Sequence, residues 1–156
     1  CLLPLFMLLK TLKLKNTLWA MILPYIAFRL PVSIMLIRSF FVGISKEMEE
    51  AAIIDGATLF QIYKTIYLPL SKPIMSTVII MTAYYAWNEF VFATIFVDSS
   101  KLRTIPVGLM TFSDGLMTEW GVVLAGMVIA CLPIMILFIA MQKNFVRGMT
   151  AGSVKG

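Results

Sequence analysis

The 156-residue sequence contains no histidine, and only 13% of its residues carry charge. It pairs no nucleophile with a base, and its only adjacent carboxylates are Glu49-Glu50, so no active site can be drawn and the chain is not expected to be an enzyme. A glycine-rich phosphate loop followed by Lys and Ser or Thr is also missing, which excludes ATP binding through a Walker motif. The two cysteines, Cys1 and Cys131, lie in apolar stretches without metal-ligand spacing. No metal or cofactor is therefore expected. The net charge is +5, but the basic residues stand singly between apolar runs and form no patch that could track phosphates, which argues against a nucleic-acid partner.

What the chain has is apolar residues, at 60% of the total. A soluble domain hides its core behind a polar shell, whereas uncharged stretches here reach about 20 residues, the length that crosses a bilayer. The predicted fold class is all-α, a polytopic transmembrane helical bundle. Its apolar stub, residues 1–9, is too short to cross and lacks the basic region and cleavage pattern of a secretory signal, so it reads as the tail of a span truncated at the N-terminus. Three spans are expected at about 17–42, 73–97 and 121–142. The first is interrupted by Pro24, Pro31, Arg29 and Arg38, and the second carries Glu89 as its only charge.

Residues 45–72 are too polar for lipid and too long for a tight connection, which predicts a structured loop in water. Leu59, Ile62, Tyr63 and Ile66 fall at the spacing of one helical face. Met48, Ala51 and Ala52 line a second short helix, with Ser45 as its N-cap and Glu47 and Glu49 suited to its N-terminus. Gly56 is the expected joint between the two helices, and Leu68-Pro69 and Pro73 the expected end of the second. Counting basic residues does not orient the chain, because Lys10, Lys13, Lys15, Lys101 and Arg103 nearly balance those of the loop and tail.

The most specific signal is Glu50-Ala51-Ala52-Ile53-Ile54-Asp55-Gly56, followed after nine residues by Ile66-Tyr67-Leu68-Pro69. It resembles the EAA loop of ATP-binding cassette import permeases, with no gap or substitution in the spacing. The flanks Ile54-Asp55-Gly56-Ala57 and Leu70-Ser71-Lys72-Pro73, the stretches Trp87-Asn88-Glu89-Phe90 and Arg103-Thr104-Ile105-Pro106-Val107-Gly108-Leu109, and the tail from Gln142 to Gly156 are similar to the carbohydrate-uptake branch of that family, the maltose-type permeases.

The resemblance implies a permease subunit that moves a sugar or oligosaccharide across the cell inner membrane. Its implied partners are a second permease subunit, two ATP-binding cassette ATPases, an external solute-binding protein and membrane lipid. The loop and the tail, residues 143–156, would face the cytoplasm, and Asp98 to Trp120 the outside. Glu50, Ala51, Ala52, Asp55, Gly56, Leu59, Ile62, Leu68 and Pro69 would couple the ATPase to the spans. Small alanines permit close approach, glycine permits the bend, and Glu50 suits a charge-assisted hydrogen bond to a basic partner. The alternatives are an amphipathic hairpin lying on the membrane surface, an ion-gradient-driven transporter or channel, and an importer of another solute such as a polyol phosphate or polyamine.

Inside the membrane, Arg29 and Glu89 are expected to pair if their helices pack together. The alternative is that Arg29, Tyr84, Trp87, Asn88 and Glu89 line the translocation pathway, where aromatic faces stack on sugars. Tyr84, Tyr85 and Trp87 equally suit interfacial anchoring or packing. Relatives more often carry an uncharged residue at position 29, so Arg29 raises the prospect of an anionic sugar.

Overall fold

The structure is a computed structural model that describes the backbone of residues 2–114 and 117–151, and the side chains of 2–113 and 118–142. Cys1 and the tail stretch Gly152 to Gly156 lie outside the described residues, as do the side chains of the rest of the expected tail. The helices are α1 (Leu2–Thr11), α2 (Trp19–Val42), α3 (Lys46–Ile54), α4 (Leu59–Ile62), α5 (Leu68–Leu70), α6 (Lys72–Asn88), α7 (Val91–Phe96), α8 (Ile105–Met110) and α9 (Trp120–Ala151). A two-residue antiparallel pair, Ser113–Asp114 with Met117–Thr118, precedes α9.

Among the described residues, α2 and the stretch Trp120–Gln142 of α9 are each long and apolar enough to cross a membrane. At 24 residues, α2 is about 36 Å long, enough to cross a hydrocarbon core of about 30 Å. The apolar run 73–97, expected as one span, is two helices: α6 ends at Asn88 and α7 begins at Val91. In addition, the helical stretch Leu59–Leu70 joins α6 across a bend of 62°.

Two compact units can be distinguished: Cys1–Arg29 with Thr82–Leu137, and Leu30–Met81 with Phe138–Gly156. In lipid, packing apolar side chains brings little hydrophobic gain, so close fit and polar links between segments must hold each unit together. The first unit has both. Phe96 and Ala20 are fully buried beside Leu9, with Phe6, Phe92 and Ile95 packed around them, and a second cluster joins Met21, Ala93, Val97 and Val107. Phe96 lies 5.5 Å from Phe92 and 6.4 Å from Phe6, centroid to centroid.

The turn between α1 and α2 supplies the polar link. Asn16 adopts the left-handed conformation, φ 61°, which asparagine tolerates better than most residues. Its backbone N–H donates to the Phe96 carbonyl at 2.9 Å, and its Oδ1 accepts from the backbone N–H groups of Asp98 (3.1 Å) and Ser99 (2.8 Å). Beside it, Lys15 pairs with Asp98 at 2.9 Å and lies over the Phe6 ring. The short turn therefore clasps the segment that follows α7, a role its sequence does not reveal.

Candidate functional site

In the second unit the sequence of a helix, a glycine and another helix is set largely by local rules. Ser45 caps α3 by accepting from the Glu47 N–H at 3.2 Å, and Glu47 and Glu49 occupy the first turn, where the helix dipole favours negative charge. The other end closes as a Schellman motif: Gly56 N–H donates to the Ile53 carbonyl and Ala57 N–H to the Ala52 carbonyl, each at 2.9 Å. That closure requires Gly56 at φ +76°, where a side chain would be strained. Two residues later Thr58 opens α4 with a capping box, its Oγ1 accepting from Gln61 N–H while Gln61 Oε1 accepts from Thr58 N–H at 2.7 Å.

The second helix ends at Leu70, between Pro69 and Pro73 as expected, but Pro69 itself lies within its last turn. A π-helical turn, Tyr63–Tyr67, precedes it, and the Leu68 N–H reaches back five residues to the Tyr63 carbonyl. The wider turn accommodates a ring that cannot donate a hydrogen bond, and the helix continues to Leu70. The expected apolar stripe is only half covered. Ile62 is buried at 2% exposure and Ile66 is half-buried, but Leu59 and Tyr63, expected on the same inward face, are exposed.

The π turn delivers Tyr67 to the packed side of the loop. Its hydroxyl donates to Glu49 Oε2 at 2.7 Å, and its ring meets Phe41 edge-on at 5.7 Å. Donation to the Glu49 carboxylate, reinforced by burial, holds the Tyr67 hydroxyl above the usual phenol range. This link ties α3 to the π turn and was not foreseen, since Glu49 suits the helix N-terminus whether or not it has a partner.

The expected coupling residues are thus sorted. Glu50, Ala51, Asp55, Gly56, Leu59, Leu68 and Pro69 are exposed, Ala52 is half-buried, and Ile62 is buried. Three large apolar side chains stand out around the glycine joint: Ile54 at 85%, Leu59 at 76% and Phe60 at 73% exposure. Ile54 and Phe60 were not among the expected contacts.

The intramembrane residues gather in the first unit. Glu89, 9% exposed, accepts from the Tyr25 hydroxyl at 2.7 Å and from the backbone N–H groups of Phe92 (2.8 Å) and Ala93 (3.1 Å). Tyr25 meets Tyr85 edge-on at 5.9 Å, and the Arg29 guanidinium lies 5.1 Å from the Tyr85 ring centroid. The contacts of Glu89 are therefore with Tyr25 and the backbone, where Arg29 had been expected. An uncharged hydroxyl and two amides can satisfy a carboxylate in an apolar setting without a counter-ion. Trp87 donates through its indole N–H to the Ala130 carbonyl at 2.9 Å, on a turn of α9 that Pro133 loosens. Tyr84 and Asn88 are exposed, and the Asn88 amide donates back to the Tyr84 carbonyl at 2.8 Å.

Long apolar helices joined through a capped loop define a helical membrane protein. The chain belongs to the family described as the binding-protein-dependent transport system inner membrane component, whose profile it matches over residues 2–151. It is 58% identical over 99% of its length to the "Probable ABC transporter permease protein YurM" of Bacillus subtilis, covering 52% of that protein. It is 41% identical over 90% of its length to the "Trehalose/maltose transport system permease protein MalG" of Thermococcus litoralis, covering 51% of it. A solved bacterial ABC transporter "involved in the import of the acidic polysaccharide alginate" superposes with a TM-score of 0.72 at 28% identity, covering 92% of this chain and 55% of the other. The chain therefore spans about half the length of the curated relatives it matches.

Proposed function

We propose that this chain is part of the membrane-spanning permease of an ATP-driven importer that carries a carbohydrate delivered by an external binding protein. A second permease subunit completes the pathway, and two ATP-binding cassette ATPases grip residues 45–72 from the cytoplasm, with the tail on the same side and Asp98 to Trp120 outside. The observation that carries this reading is the joint at Gly56. On either side of a left-handed glycine, Ile54, Leu59 and Phe60 are left open on a polar loop, next to the exposed Glu50 and Asp55. Apolar groups grouped in this way mark a protein contact, and Glu50 can anchor it to a basic group on the ATPase. ATP binding would favour the outward-open state through its effect on this contact, as a shift between existing populations.

The direct test is uptake by the purified complex in vesicles whose ion gradients have been collapsed. Uptake should depend on ATP supplied on the loop side. Transport that continues without ATP and stops only when an ion gradient is removed would overturn the proposal in favour of a gradient-driven carrier.

A narrower reading concerns the charge of the solute. Arg29 brings a permanent positive charge to the cluster containing Tyr25 and Tyr85, and the alginate-import relative handles an acidic polysaccharide. We infer that the cargo is an anionic carbohydrate. Arg29→Ala is then expected to reduce uptake of an acidic sugar at least about tenfold more than uptake of a neutral one, the difference expected from one charged hydrogen bond. An equal loss of both would leave Arg29 a packing residue.

A further inference from the structure

The two-residue break between α6 and α7 has no glycine or proline to cause it. Asn88-Glu89-Phe90-Val91 lies in an apolar run that would extend α6 as a continuous helix. In such a helix the Phe92 and Ala93 N–H groups would donate to the carbonyls of Asn88 and Glu89. Here both donate to the side chain of Glu89, at 2.8 and 3.1 Å, and the first backbone bond of the new helix is Thr94 N–H to the Phe90 carbonyl at 2.9 Å. A side chain that competes for backbone donors in this way ends one helix and starts another. Tyr25, from α2, holds the same carboxylate with a third hydrogen bond at 2.7 Å.

The break decides what covers Asn88. Residues four apart share a face of a continuous helix, so an unbroken α6 would lay the Phe92 ring over Asn88. With the break in place Phe92 packs against Tyr25, Phe28 and Phe96 instead, and Asn88 is exposed beside Tyr84. We propose that Glu89 is a positioning residue of the transport pathway: its carboxylate, held by Tyr25, keeps α6 and α7 separate and so keeps Asn88 and Tyr84 open to a passing carbohydrate. This rests on the pathway reading of Tyr84 and Asn88.

The test needs no knowledge of the cargo. In the assembled transporter in its membrane, with Cys1 and Cys131 replaced, Asn88→Cys is labelled with a water-soluble, positively charged methanethiosulfonate reagent. The readout is the labelling rate per amount of folded protein. Tyr25→Phe, which keeps the ring packing, and Glu89→Gln, which removes one acceptor oxygen, should each slow labelling about tenfold. Glu89→Asp keeps a carboxylate beside the α7 amides and should restore most of the rate. Rates within twofold of the parent in both variants, or no recovery with Glu89→Asp, would overturn the positioning role. A parent Asn88→Cys that never reacts would overturn the pathway reading itself and this role with it. If Glu89→Gln does not accumulate, Tyr25→Phe alone decides.

Discussion

Replacing Gly56 with proline is expected to abolish uptake, by about a hundredfold or more, while the chain still inserts into the membrane and the ATPases still hydrolyse ATP. Nothing lies within 4 Å of a Cβ built at Gly56, so crowding is not the cause. The cost is in the backbone. Gly56 sits at φ +76°, and proline is locked near −65° and has no N–H for the Ile53 carbonyl. The Schellman closure cannot form, and α3 and α4 lose their fixed angle, although neither lies in a predicted span. Alanine should be milder, since the left-handed region costs an ordinary residue about 1 to 2 kcal/mol, and asparagine milder still. Glu50→Lys should uncouple hydrolysis from uptake in the same way by reversing a charge on the proposed contact surface. Measured side by side, ATP hydrolysis should persist in Gly56→Pro and Glu50→Lys as uptake disappears. Normal transport by either would remove this loop from the coupling path.

Gly126 in α9 presents the opposite case, where space rather than conformation is decisive. A Cβ at this position would overlap Cδ2 of Leu109 in α8. Small residues at such crossings let helices approach closely, which matters most in lipid, where fit is the main source of attraction. Leu109 Cδ2 is the tip of a half-buried side chain that can turn aside, so Gly126→Ala should cost little, whereas Gly126→Leu, which fills the crossing, should destabilise the protein by about 1 to 3 kcal/mol, the usual cost of overpacking. Thermal unfolding of the detergent-solubilised transporter should show a clearly lowered midpoint for Gly126→Leu and a small change for Gly126→Ala. Adding Leu109→Ala should recover most of the loss, because it removes the overlapping atom. A lowered midpoint that Leu109→Ala fails to recover would mean that the crossing is not the source of the strain.

Much of the architecture can be read along the chain because short-range physics governs it. Long uncharged runs can satisfy their backbone hydrogen bonds in lipid only as helices. That rule is enough for α2 and α9. The loop at 45–72 is equally legible: Ser45, Gly56 and Thr58 act on backbone groups within five residues of themselves, so cap, joint and cap follow from residue type and spacing alone. The family motif is read from the same residues.

Other features required the folded chain. The sequence shows an acidic residue in an apolar run, but whether Glu89 meets Arg29, a solute or Tyr25 depends on how α2 and α6 pack, 64 residues apart in sequence at the Tyr25 contact. The break after Asn88 combines a local contact, Glu89 with the Phe92 and Ala93 amides, with the distant one from Tyr25, and neither residue type announces it. The same holds for the link between Glu49 and Tyr67, and for the clasp of Asn16 on Asp98 and Ser99. Sequence by itself determined which long runs are apolar enough to cross lipid, where the loop at 45–72 is capped and jointed, and which family the chain resembles, since each depends on neighbours within a helical turn or two. Which polar groups satisfy one another inside the apolar environment was decided only by tertiary structure, because a buried charge takes its partner from whichever segment packs against it.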